Sequence, residues 1–146
     1  FCVGAVMYKT GKQYVHEIDG FGRRMPVVFG IFTIASLGLM GVPGLAGFIS
    51  KWNLATAAVM SDNVMAYVGI GALLISALLT AIYMLSIVIR AFFPDKEKQL
   101  NIPEEARDPG WMMLVPLCIF AIAILIFGLH SAPIVNFFQE IAGGNL

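Results

Sequence analysis

Three long stretches without a charged side chain constrain what this chain can become: Val27 to Ser50, Asn63 to Ile89, and Gly110 to Gln139, the last containing His130. A helix needs roughly 20 predominantly apolar residues to cross a hydrocarbon core of about 30 Å, and each stretch is long enough. A soluble domain would have to hide that surface. Here 59% of residues are apolar and 12% charged, against about 45–50% and about 25% in ordinary soluble domains. Mean hydropathy is +0.85. The excess apolar surface must therefore face lipid.

The charges are confined to Lys9–Arg24 and Arg90–Asp108, with Lys51 and Asp62 isolated between them and Glu140 near the end. The net charge is zero, so nothing points to nucleic acid. Cys2 and Cys118 both lie in apolar helical sequence and read as packing residues rather than as a metal site or disulfide.

The pattern predicts an all-α, polytopic transmembrane helix bundle. It has about four spanning segments, one discontinuous helix and a partial N-terminal helix. Phe1 to Tyr8 reads as the last two turns of a helix. Residues 1–146 are expected to form a single membrane domain, the C-terminal part of a larger membrane protein. Lys9 to Arg24 reads as a polar loop with one short helix near Tyr14 to Ile18. Pro26 suits a first helical position, where its missing N–H is unpaired anyway. That helix runs to about Met40, where Gly41-Val42-Pro43-Gly44 breaks it. A second segment covers about Leu45 to Met60, and Asn63 offers a cap for a long helix from Val64 to Phe93. Asp95 to Asp108 reads as a loop. A further span covers Gly110 to Leu129, with a kink expected at Pro116, and a short amphipathic piece covers Ile134 to Ala142. Counting each segment as a crossing puts residues 9–25 and 61–63 on one side and 94–108 on the other. Each side then has four Lys or Arg nearby, and the positive-inside rule gives a tie.

Lys51 is the first chemical candidate. It is the only full charge between Arg24 and Asp62. On a helix starting near Gly44 it lies about 10 Å along the axis, close to mid-membrane depth. A lysine there must be paired, hydrated or neutral, and a desolvated amine gives up its proton more readily. Such a group suits a proton relay. Gly41, Pro43, Gly44 and Gly47 form the break and its small-residue surroundings, and breaks at this depth are tolerated where they line a polar cavity or pack in protein. The bland alternative is equally physical. Ser50-Lys51-Trp52 is also how an ordinary spanning helix ends, with lysine snorkelling and tryptophan at the interface.

Two weaker constellations follow. Ser76, Thr80, Tyr83, Ser86 and Arg90 fall within an arc of about 120° on one helix and could carry a polar path; helix–helix hydrogen bonding is the alternative. His16, Glu17 and Asp19 could form a proton uptake or release point, or a plain solvated loop. No metal spacing, phosphate loop or nucleophile arrangement occurs, so no cofactor or metal is expected.

The stretch Gly20 to Trp52, GFGRRMPVVFGIFTIASLGLMGVPGLAGFISKW, resembles the signature of proton-translocating antiporter-like membrane proteins. These are the large antiporter-like subunits of respiratory complex I, their relatives in membrane-bound hydrogenases, and the D-type component of multisubunit Na⁺/H⁺ antiporters. Arg23, Arg24, Met25, Pro26, Gly41, Val42, Pro43, Gly47, Phe48, Ser50 and Lys51 fill the pattern, and Ser50-Lys51-Trp52 is closest to the form in the Na⁺/H⁺ antiporters. The resemblance implies that Lys51 is the protonatable lysine of an outer half-channel on a discontinuous helix. It implies an integral, multi-pass subunit of a prokaryotic cell membrane, not catalytic alone. Its partners would be lipid, other membrane subunits of the complex and the preceding part of the same polypeptide. The generic alternative is a transporter or scaffold segment with Lys51 as an interfacial anchor.

Overall fold

A computed structural model describes residues 1–12, 14–61, 63–94 and 107–142. Its helices are α1 (Cys2–Thr10), α2 (Phe21–Arg24), α3 (Pro26–Met40), α4 (Ala46–Met60), α5 (Val64–Phe92), α6 (Trp111–Leu129) and α7 (Ala132–Ala142), with a 3-10 turn at Val15–Glu17. No strand occurs among the described residues. The expected helical segments are present, and the loop after α1 contains one short helix more than its sequence suggested; the loop expected over Asp95 to Asp108 lies, up to residue 106, outside the described residues.

Most helix boundaries have local causes. Pro26 opens α3, and Asn63 caps α5 by accepting the Met65 N–H at 3.0 Å. Pro116 sits inside α6, as its sixth residue, past the first turn, so the bond that an N–H there would make to the Met112 carbonyl is lost.

The packing is that of a bundle immersed in lipid. The small core is built from α1, α2, α3, α5 and α6, with Phe21, Met25 and Val28 fully buried. Outside it the helices present large apolar side chains: Leu78 is 65% exposed, Ile82 67% and Ile119 59%. The most apolar window of α5 has no buried residue. A helix this apolar would be buried in a soluble protein, so its solvent is hydrocarbon.

The arrangement corrects the sidedness expected from counting segments. Gly20 N–H donates to the Arg90 carbonyl at 3.1 Å. Arg23 Nε donates to the Phe92 carbonyl at 3.2 Å. The Asp108 carboxylate accepts the Val28 N–H at 3.2 Å and the Val27 N–H at 3.4 Å. The loop after α1, the end of α5 and the start of α6 therefore share one end of the bundle.

The physical reason lies in α3 and α4, which are two halves of one passage. Phe29 meets Phe92 edge-on at 6.4 Å, and Ser36 meets Met84 at 3.5 Å. Seven residues up α3 thus match eight down α5, so the two run antiparallel. At about 1.5 Å per residue α3 covers about 22 Å and α5 about 43 Å. The first half of α5 extends past α3 and packs on α4, from which only residues 61–63 separate it.

Candidate functional site: the broken helix at Lys51

An α-helix ends with four carbonyls that have no partner within it. In lipid each costs several kcal/mol if left so. For α3 these belong to Leu37, Gly38, Leu39 and Met40. Gly41, at φ +89°, turns the backbone so that its N–H reaches the Leu37 and Gly38 carbonyls, both at 3.2 Å, while the Val42 N–H also reaches Leu37 at 3.2 Å. A left-handed glycine is the usual means of such an ending. The other two carbonyls are taken by one side chain. Lys51 Nζ donates to Leu39 O at 2.7 Å and to Met40 O at 2.9 Å. All four are thereby satisfied by protein.

Lysine reaches back because side chains on a helix lean toward its N-terminus. From the second turn of α4 the stem of Lys51 crosses Gly41, where a Cβ would lie 3.0 Å from Lys51 Cδ. Its ammonium rests on the negative end of the α3 dipole. The start of α4 fits beside α3 because Gly47 has no side chain; a Cβ there would collide with the Gly38 carbonyl. From the other side Gly128 of α6 lies against the backbone of Gly44 and Leu45, where a Cβ would also collide. Gly44, at φ +92°, completes the turn with Pro43. The amine is thus held at the end of α3, about 20 Å from the charged end, roughly halfway along α5.

The other candidates are placed apart from it. Thr80 Oγ1 donates to the Ser76 carbonyl at 2.7 Å, and Ser86 Oγ to the Tyr83 carbonyl at 2.8 Å. These hydroxyl protons are spent on the helix itself. Ser76, Tyr83, Ser86 and Arg90 are exposed, on a flank of α5 turned away from the α3 contact. His16 stacks on Tyr14 at 5.4 Å, and Glu17 pairs with Lys12 at 3.2 Å. Asp19 is buried. These three sit at the charged end, with the length of α3 between them and Lys51.

Three capping groups were not foreseen. The Leu39 and Met40 carbonyls are backbone, invisible to any motif. Asp108 precedes Pro109-Gly110 and looks like a local cap for α6, yet it caps α3 from 80 residues away. Nothing in its neighbourhood signals that. The two charges bracket α3, the carboxylate at its positive end and the ammonium at its negative end.

The break and Lys51 both fall within residues 1–80, which match the family described as NADH:quinone oxidoreductase/Mrp antiporter, TM. The chain belongs to that family. Among its relatives, NADH-quinone oxidoreductase subunit N of Desulforudis audaxviator (strain MP104C) is 30% identical over 145 residues, covering 93% of this chain and 28% of the relative. NADH-quinone oxidoreductase subunit L of Rickettsia conorii (strain ATCC VR-613 / Malish 7) is 32% identical over 126 residues, covering 86% and 19%. Na(+)/H(+) antiporter subunit A1 of Staphylococcus aureus (strain Newman) is 27% identical over 150 residues, covering 98% and 19%. The chain spans less than a third of the length of each of these three. No solved structure matches. Membership in this transmembrane family, with the lipid-facing surface, makes the chain part of an integral membrane protein.

Proposed function

We propose that this chain forms the Lys51-bearing part of a proton- or cation-translocating membrane subunit, and that Lys51 carries the proton. The parent would be a complex I-like NADH dehydrogenase, a hydrogenase or a multisubunit cation/proton antiporter, with other membrane subunits as partners. It would cross a prokaryotic cell membrane several times.

The observation that carries this reading is the direction of Lys51. A snorkelling lysine extends toward water. This one folds inward, onto the end of α3 at the middle of the bundle. Trp52, 63% exposed and stacked on Phe48 at 5.7 Å, favours the anchor reading for the α4 surface, but the amine itself points the other way. In this reading His16, Glu17 and Asp19 mark a point of proton uptake or release at the charged end. The flank of α5 from Ser76 to Arg90 offers hydrogen-bond acceptors toward that end.

The test is replacement of Lys51 by Gln and by Arg in the assembled membrane complex, reading proton or cation transport in sealed vesicles. Both replacements keep donors for the α3 carbonyls, and neither can shuttle a proton near neutral pH. Transport should fall by about a hundredfold with assembly intact, the scale of a lost proton-transfer group. Undiminished transport in Lys51→Gln would reject the proposal in favour of the anchor.

A further inference from the structure

An ammonium has three N–H donors and no acceptor, whereas a neutral amine has two donors and one lone pair. Two of the Lys51 donors are committed, to Leu39 O at 2.7 Å and Met40 O at 2.9 Å. We propose that Lys51 is a fixed relay: the two carbonyls hold its nitrogen in place in both protonation states, and the proton enters and leaves only along the third N–H. This rests on Lys51 being the proton carrier, and it specifies how that carrier works.

The three protons are not equivalent. Removing either bonded proton would strip a helix-terminal carbonyl of the donor that Lys51 holds against it. Removing the third leaves both bonds intact. In that step the third N–H bond breaks, its electron pair stays on Nζ as the lone pair, and the proton forms an O–H bond with a water molecule. Uptake is the reverse, and nothing is oxidised or reduced. The lone pair then points where the third proton was, so the site is ready to accept the next proton without moving.

The surroundings suit a stationary group. The stem lies across Gly41, where any side chain would crowd Cδ. Gly47 against Gly38 and Gly128 against Leu45 hold α4 from two sides. Of the helices packed on α4, α3 has no titratable side chain, α5 brings Tyr67, Tyr83 and Arg90, and α6 brings Cys118. Among the described residues none of these touches the amine, whose hydrogen-bond partners are the two carbonyls.

The experiment is solid-state NMR on the native chain in lipid bilayers, with ¹⁵N at lysine Nζ and ¹³C at methionine carbonyls. An N···O distance of 2.9 Å places the Met40 carbonyl carbon within about 4 Å of Nζ. The Lys51→Arg chain serves as the blank, so that the dipolar coupling lost in it belongs to Lys51. The expected result is that the Met40 coupling to Lys51 ¹⁵Nζ is retained in both the ammonium and the amine form, which the ¹⁵N shift tells apart. Loss of the coupling in the amine form would overturn the fixed relay and leave the proton-carrier reading standing. A Lys51 nitrogen that never takes the amine form in the folded chain would remove both.

Discussion

The Lys51 amine donates to the Met40 carbonyl at 2.9 Å, from a residue eleven positions later on a separate helix. A helix end that would otherwise expose bare carbonyls to lipid is closed by a cation. One side chain therefore has two tasks, terminating α3 and, in the proposed function, carrying charge. The first task makes predictions that need no transport assay.

Lys51→Met removes both donors at similar length. Two carbonyls lose their partners, at about 1–3 kcal/mol each, so unfolding in mixed micelles should show a loss of about 2–6 kcal/mol. Lys51→Arg, which keeps donors in reach, should lose about 1 kcal/mol or less. Equal losses for the two would show that the capping bonds contribute nothing.

Gly47→Ala and Gly44→Ala should fail for different reasons. At Gly47 the new methyl meets the Gly38 backbone, so α4 must shift, at a cost of about 1–3 kcal/mol. At Gly44 there is room, and the cost is the positive φ alone, about 1–2 kcal/mol. Amide exchange separates them: Gly47→Ala should speed exchange along the first turn of α4, and Gly44→Ala only at the turn itself.

Asp108→Ala should cost about 1 kcal/mol, as loss of an N-cap does, with Asp108→Asn recovering most of it. Faster exchange of the Val27 and Val28 amides is the direct readout, since those two N–H groups are the ones released.

Placing the loop after α1 and the start of α6 at one end gathers Lys9, Lys12, Arg23, Arg24, Arg90 and Arg107 there. The far-end turn at residues 61–63 and the end of α6 contribute no described Lys or Arg. The positive-inside rule then faces the charged end to the cytoplasm. In a chain with Cys2 and Cys118 replaced by Ala, an impermeant thiol reagent outside intact cells should label a cysteine at position 61 and spare one at position 24. The reverse pattern would refute the orientation.

The bundle was legible from sequence because its cause is local. Uncharged runs, Pro26, Asn63 and the Gly41–Gly44 cluster each act on their own neighbourhood. Sidedness was not legible, since a proline-glycine cluster reads alike whether the chain reverses or resumes its direction. That choice is made by α5, whose length matches α3 and α4 together. Lys51 was visible as an isolated charge, but its seat was not, because its partners are backbone carbonyls positioned by Gly41. Asp108 was missed for the same reason: its target is brought to it only by the packing of α6 on α3.

The contact of Gly128 with Gly44 and Leu45 has a consequence for divergence. Gly128 lies beyond the residues matched to the family, yet it closes the wall behind the break. The two positions are therefore not free to drift separately. A relative with a bulkier residue at the place of Gly128 must have moved its own turn, because what Gly128 meets is backbone and not a side chain that could shrink.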